Sequence, residues 1–430
     1  MAELNCYLMT FNCGRTLVDT NFFAAHFFHG LQTNLPPDFI VLCLEEIAPI
    51  AQSFLGGSFL TPYFTRLTTT IHVAAAQRFE LEDEYVRVLV RNVGMTALMV
   101  FARKSVVEKI QWMETAGVGV GVWDMGNKGA VGARLGLQMT DGGEQTVVTF
   151  VAAHLAPMED AWPQRNEDWK KICEALVFGK DEIENPTRSH DGAETEPLLQ
   201  ASSDSTSCLF SPISHIYFSG DLNYRTSDTP PPKVADTDNW PQPVDSVDDI
   251  HHYGHFLEND QLTRERRKGN TLHHLAESEI AFPPTYKYSG TAQKNATRAG
   301  LKQEVNEDSA WLWATHRFPS WCDRILYLEA APPTVRSYTA LPVQPTSDHR
   351  PVVLSFAIPL QPLPKTAQNI EAPFPIKKDW KEARAAARRY ELIVGFAAYL
   401  SLTWEGEALL AGTFIGLLGG YVALRALIGS

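Results

Sequence analysis

The sequence predicts an α/β sandwich with a polar site along one rim and a membrane segment near its C-terminus. Three observations predict it: short apolar runs that end in polar residues, helical stretches between them, and one long uncharged stretch late in the chain. At 430 residues, with 44% hydrophobic content, the chain has room for one large α/β domain with appendages.

Taken in order, Pro37-Asp38 opens the run 39–44, Phe-Ile-Val-Leu-Cys-Leu, which reads as a buried strand delivering Glu45 and Glu46 at its end. Similar strands are predicted at 96–102, 130–137, 146–153, 215–218, 325–328 and 352–358, with helices over 166–178 and 257–267. Residues 185–212, rich in Ser, Asp and Glu, read as a surface insertion. So do 226–249, with Pro230-Pro231-Pro232, and 289–309. The Pro-rich stretch 359–375 reads as a linker.

Residues 408–424 carry no charge and precede Arg425, close to the length that crosses about 30 Å of hydrocarbon. A shorter apolar stretch, 392–404, is separated from it by Glu405 and Glu407. One helix through both would place two carboxylates at its middle, which is costly in lipid. The expectation is therefore a spanning second stretch, with the first lying in the interface or pairing with it as a hairpin. Lys377, Lys378, Lys381, Arg384, Arg388 and Arg389 put the upstream side in the cytosol. The N-terminus shows no basic region followed by a long apolar core, so no secretory signal is expected.

A net charge of −13 argues against a nucleic-acid partner, since such a partner needs a basic face, and any anionic substrate must be caught locally. The six cysteines show no metal-ligand spacing and read as free thiols. None has an arginine six residues on, which removes a cysteine phosphatase, and no Gly-rich Lys-Ser/Thr loop for nucleotide phosphates is present. What remains is a set of oxygen donors and imidazoles: Asn12, Glu46, His154, Asp221, Asn223, Asp323, Asp348 and His349. Such donors suit Mg²⁺ and metal-assisted hydrolysis of a phosphate ester.

These residues lie in blocks that resemble the signatures of the inositol polyphosphate 5-phosphatases. The blocks are Gly220-Asp221-Leu222-Asn223-Tyr224-Arg225, Phe282-Pro283-Pro284-Thr285-Tyr286-Lys287-Tyr288, Pro319-Ser320-Trp321-Cys322-Asp323-Arg324 and Ser347-Asp348-His349-Arg350-Pro351-Val352. Trp123-Asp124-Met125-Gly126-Asn127-Lys128-Gly129 and Ala153-His154-Leu155-Ala156 are similar further pieces. The Asp-x-Asn and Ser-Asp-His pieces fit the whole DNase-like metal phosphoesterase superfamily, whereas Pro-Thr-Tyr-Lys and Trp-Cys-Asp-Arg resemble the 5-phosphatase branch. The resemblance implies a four-layer α/β/β/α sandwich with a catalytic domain over 1–358. The linker then covers 359–376, a basic juxtamembrane segment 377–391 and a hydrophobic anchor 392–429, spanning at about 408–428.

By the same resemblance, Glu46, Asn12 and Asp348 hold Mg²⁺. Asp221 orients and deprotonates the attacking water, Asn223 and His154 contact the scissile phosphate, and His349, held by Asp323, stabilises its developing charge. Tyr286 and Lys287 match the pair on the 4-phosphate, with Lys128, Asn127 and Arg324 as further phosphate contacts. Two departures stand out: Thr315 where the family often has a lysine ahead of Arg317, and Glu45-Glu46 where it has Gln-Glu. The expected activity is removal of the 5-phosphate of phosphatidylinositol 4,5-bisphosphate at a cytosolic membrane face, with the endoplasmic reticulum as the expected membrane. The alternatives are a soluble inositol phosphate or other phosphoinositide as substrate, and a silent, membrane-tethered phosphoinositide-binding protein.

Overall fold

Along β1 (Glu3–Asn12), Leu4, Cys6 and Leu8 enter one apolar cluster while Tyr7, Met9 and Phe11 enter another. A period of two with both faces buried is the pattern of a strand covered on each side. The same division runs through β2 (Phe39–Glu45), where Phe39, Val41 and Cys43 face one cluster and Ile40, Leu42 and Leu44 the other. The structure, a computed structural model, describes residues 3–79, 85–138, 145–180, 207–302, 310–360 and 363–429.

The remaining strands are β3 (Tyr85–Val93), β4 (Thr96–Arg103), β5 (Ile110–Gly119), β6 (Gly129–Leu137), β7 (Thr146–His154), β8 (Gly179–Lys180), β9 (His215–Asp221), β10 (Leu275–Glu277), β11 (Asp323–Leu328), β12 (Thr334–Ala340) and β13 (Val352–Pro359). One sheet has the order β12-β13-β1-β2-β4-β3 and the other β10-β11-β9-β7-β6-β5-β8. Val41, Val100 and Leu354 of the first sheet meet Val131, Phe150 and Ile325 of the second in a shared core. Each such fully buried aliphatic or aromatic side chain contributes about 1.5–3 kcal/mol. The helices Thr20–His26 and Thr61–Phe79 cover the first sheet through Phe23, Ala24, Leu67 and Ile71. Trp162–Ala175 covers the second through Trp169 and Ile172. The four layers expected from the resemblance are present.

Several elements differ from the sequence reading. The helix expected at 166–178 runs Trp162–Ala175, because Pro163 fits the first turn, where its missing N–H costs nothing. The helix expected at 257–267 is two, Gly254–Leu257 and Gln261–Arg267, since the Asp260 carboxylate accepts the Thr263 N–H at 2.8 Å and starts a new helix. Within 289–309, residues Gly290–Lys302 form a helix: Ala292, Ala296 and Ala299 fall on one face and are buried, and Ser289 Oγ accepts the Ala292 N–H. Residues 185–206 of the acidic insertion lie outside the described residues. Its end is no surface loop, because Leu209 and Phe210 are buried in the cluster around Trp169. The Pro-rich stretch also packs on the body, through a short helix Lys365–Gln368 with Ala367 buried and Phe374 against His273.

At the C-terminus, Trp380–Leu402 is one helix running through the basic segment and into the first apolar stretch. It lies on the body, where Gly395 meets Phe54 and Arg388 Nη1 donates to the Phe54 carbonyl at 2.6 Å. It breaks at Thr403, whose hydroxyl caps the next helix by accepting the Gly406 N–H at 3.1 Å. That helix, Trp404–Ile428, is 25 residues long and apolar enough to cross a membrane, and none of its most apolar stretch is buried.

Candidate active site

Strand register brings the polar ends together on one rim. β1 and β2 run parallel with Asn12 opposite Glu45, so Glu46 emerges beside Asn12. β7 and β9 run parallel with His154 opposite Asp221, and β11 starts with Asp323 opposite Asp221. Gly129 at the start of β6 pairs with His154, which sets Lys128 next to that imidazole. The approach of β9 to β7 requires glycine at 220, where a Cβ would lie 1.7 Å from the Ala153 carbonyl oxygen.

Asp221 is the hub. Its Oδ2 accepts the Asn12 amide at 2.9 Å and lies 3.3 Å from His154 Nε2 and 4.0 Å from His349 Nε2. Its Oδ1 accepts the Asn223 N–H at 3.1 Å. His349 Nδ1 meets Asp323 Oδ2 at 2.9 Å, and the Thr285 hydroxyl donates to that same oxygen at 2.6 Å. Ser347 Oγ donates to the Asn12 carbonyl and accepts the His349 N–H, tying the Ser-Asp-His turn to the end of β1. Asn223 sits at φ +59, a conformation that asparagine tolerates better than most residues, and its amide donates to Leu155 O at 3.1 Å.

Burial alone would lower the His349 pKa, but Asp323, Asp221 and Asp348 raise it to about 9, so at neutral pH the ring is an imidazolium. Burial would raise Asp221, yet the His154 hydrogen bond and the charges of His349 and Lys128 hold it well below the usual carboxylate range. His154 is pushed down by burial and by Lys128, and stays neutral. The rim thus holds an anionic Asp221 between a neutral and a cationic imidazole.

Ligand atoms of Asp221, Asp323 and His349 lie within 4.8 Å of one another, close enough to surround an ion. His349 Nδ1 and Asp323 Oδ2 are already spent on each other, however, and a protonated imidazole offers no lone pair. The oxygen donors Glu46, Asn12 and Asp348 suit a hard divalent cation by their chemistry. The buried Asp323 Oδ1, without a hydrogen-bond partner among the described residues, leaves a further acceptor unused at the same rim.

Residues 9–355 match the family described as Endonuclease/Exonuclease/phosphatase family 2. The chain belongs to this family. Among its curated relatives are the Phosphatidylinositol 3,4,5-trisphosphate 5-phosphatase 2B of Danio rerio, 27% identical over 67% of this chain and 20% of the relative, and the Type IV inositol polyphosphate 5-phosphatase 3 of Arabidopsis thaliana, 28% identical over 62% and 33%. The chain thus spans a fifth to a third of the length of these relatives. A solved structure, the inositol polyphosphate 5-phosphatase domain of SPsynaptojanin in complex with inositol (1,4)-bisphosphate and calcium ion, aligns with a TM-score of 0.58 at 19% identity over 92% of this chain and 93% of that one. The resemblance read from the signature blocks and the fold it implied both stand.

Within this phosphoesterase fold, the residues expected at the site fall into two groups. Asn12, Glu46, Lys128, His154, Asp221, Asn223, Tyr286, Lys287, Asp323, Asp348 and His349 gather at the rim. Tyr286 lies tilted against His349, with ring centres 4.6 Å apart, and Lys287 pairs with Asp348. Arg324 does not join them. Alternation along β11 turns it away from the side that Asp323 faces, and its buried guanidinium is taken by Asp260 at 3.0 Å and Glu277 at 2.7 Å. Asn127 folds back against Gly121 within its own hairpin.

The structure adds members to the site. Arg225 lies 4.4 Å over the Tyr286 ring and bonds the Asn223 side chain. Arg15 Nε pairs with Glu46 at 2.8 Å, and Thr285 supports Asp323. Arg225 and Thr285 stand inside signature blocks, a signal that could have found them. Arg15 carries no such signal.

Proposed function

We propose that the chain hydrolyses the 5-phosphate of phosphatidylinositol 4,5-bisphosphate at a cytosolic membrane face, leaving phosphatidylinositol 4-phosphate and inorganic phosphate. The observation that carries this reading is the rim arrangement in which anionic Asp221 lies between His154 and the His349–Asp323 pair. The names of the relatives, which are 5-phosphatases of inositol phosphates and phosphoinositides, support the chemistry. The exposed helix Trp404–Ile428 supports a lipid over a soluble substrate, since an anchored site works at high effective concentration on its own membrane.

In this reading Asp221 accepts a hydrogen bond from the attacking water and aligns it with phosphorus. The water oxygen forms the new P–O bond and passes a proton to Asp221 as the bond from phosphorus to the inositol 5-oxygen breaks, and that proton ends on the departing oxygen, which leaves as a hydroxyl. The His349 imidazolium, its Nδ1 fixed by Asp323, presents Nε2–H to a phosphoryl oxygen as negative charge builds there. Asn223 and Lys128 add donors on the same side, and Tyr286 and Lys287 take the neighbouring phosphate. Mg²⁺, held by Glu46, Asn12 and Asp348, would supply charge neutralisation of the phosphoryl group.

The test is phosphate release by the full chain in detergent, on phosphoinositides and soluble inositol phosphates, with Asp221→Asn as the blank. Release from the 4,5-bisphosphate lipid that needs Mg²⁺ and stops on chelation supports the reading. Faster release from soluble substrates would reassign the substrate, and no release from any would leave a binding protein.

A further inference from the structure

A cavity of about 360 Å³ lies between the body and the helix Trp380–Leu402, and none of the catalytic rim residues described above lines it. Its floor includes Gly56, Gly94, Gly117 and Gly119, and Ala383 and Ala387 of the helix keep it open. Six cations line it, Arg91, Lys171, Lys377, Lys381, Arg384 and Arg388, against three carboxylates, Asp124, Asp379 and Glu391. In a chain of net charge −13, this is a marked local excess of positive charge.

The carboxylates are largely committed. Asp124 pairs with Lys171 at 2.8 Å, and Glu391 is bonded to Arg388 and to the Gly126 N–H. Lys377 finds its partner in Glu174. Arg384, half-buried, forms no ion pair and no hydrogen bond among the described residues; burial lowers its pKa to about 10 against the opposing charge of Glu391. A partly desolvated guanidinium whose nearest counter-charge, Glu391, is shared with Arg388 and the Gly126 N–H is one that a bound anion would stabilise. Lys381 likewise has no ion pair among the described residues and only rests on the Trp380 ring.

Position indicates the source of the anion. On the same helix the cations end at Arg389, and exposed apolar side chains begin at Leu392 and Ile393. Arg384 stands eight residues, or about 12 Å, before Leu392. The cavity therefore sits at headgroup distance from the part of the helix suited to an apolar medium.

We propose that this cavity is a second anion site that binds a phosphate-bearing headgroup, supplied by an anionic lipid, with Arg384 as its central cation. The cavity shares no lining residue with the catalytic rim, and its test does not depend on the phosphatase reading.

The test is native mass spectrometry of the full chain in detergent, with phosphatidic acid and phosphatidylcholine as lipid probes and glycerol 3-phosphate as the soluble one. Retention of phosphatidic acid over phosphatidylcholine by about tenfold is expected. Arg384→Met and, independently, Ala383→Glu should each abolish most of that preference. The second removes no packed cation, so it separates loss of the site from loss of fold. Lys287→Met, at the catalytic rim, should leave it unchanged. Glycerol 3-phosphate that binds wild type and is lost in both variants would assign the site to free phosphate of the same chemistry. Equal retention of the two lipids by wild type, unchanged preference in both cavity variants, or loss only in Lys287→Met would overturn the proposal.

Discussion

The Glu391 carboxylate accepts the backbone N–H of Gly126 at 2.8 Å, a buried bond between the helix Trp380–Leu402 and the hairpin that carries Lys128. The hairpin is held at further points: Gly126 O accepts the Met95 N–H, Gly94 abuts Gly126 so closely that a Cβ would lie 2.2 Å from its oxygen, and Trp123 packs on Tyr390. Lys128 at the hairpin's end reaches His154. Glu391→Leu in the full chain should therefore lower kcat on a soluble substrate about tenfold, as expected for loss of one hydrogen bond to a charged group. Glu391→Gln, whose amide oxygen still accepts, should recover most of it. Steady-state kinetics on a soluble inositol phosphate would decide this, and equal kcat in wild type and Glu391→Leu would show that the helix does not position the hairpin.

Support for the His349 imidazolium is graded, and so should be the losses. His349→Ala removes the donor and should cost 10²–10⁴-fold in kcat, the usual worth of a positioned acid. Asp323→Asn keeps an amide oxygen that can accept from Nδ1 but removes the charge that raises the ring's pKa, and should approach that loss. Thr285→Val deletes the 2.6 Å bond to the Asp323 carboxylate and the 3.3 Å bond accepted from the Asp323 N–H, and should cost about tenfold. Thermal unfolding checks that each variant is folded. A Thr285→Val loss as large as that of His349→Ala would contradict this ordering.

The central layers and most of the rim were legible in the sequence, because fully buried strands such as β2, β6, β7 and β13 read as unbroken apolar runs that end at chemistry-bearing residues. The edge strands were not. β3 and β12 interleave Arg87, Arg91, Arg336 and Ser337 with apolar positions and contain bulges, so neither a run nor a clean alternation survives. β1 was missed although it is central, because Asn5, Thr10 and Asn12 interrupt its apolar residues. Arg324 was misplaced for a different reason. Motif adjacency puts it next to Asp323, but a strand sends neighbours to opposite faces, and only the positions of Asp260 and Glu277 reveal its partners.

That correction has its own consequence. Arg324 and Asp260 are buried, the Glu277 side chain is 5% exposed, and Glu277 also accepts the Tyr338 hydroxyl at 2.7 Å. Removing the cation leaves two buried carboxylates unpaired, which costs about 3–5 kcal/mol. Arg324→Met should thus lower the urea midpoint strongly, while the fraction that remains folded keeps a near-normal KM. A stable Arg324→Met protein with a greatly raised KM would return this residue to the substrate.

His215, at the start of β9, is buried with neither ring nitrogen hydrogen-bonded among the described residues, and burial lowers its pKa from 6.5 to about 4. Between those values the unfolded chain binds a proton that the folded chain refuses. This contribution to stability is therefore complete above about pH 6.5 and is lost as pH falls toward 4. A depression of that size corresponds to about 3 kcal/mol across the window. His215→Phe removes the titrating group, so urea unfolding from pH 7 to pH 4.5 should show a shallower fall in stability than wild type, whatever the variant's stability at pH 7. If the two proteins lose stability in parallel over this range, the acid sensitivity of the fold arises elsewhere than at the start of β9.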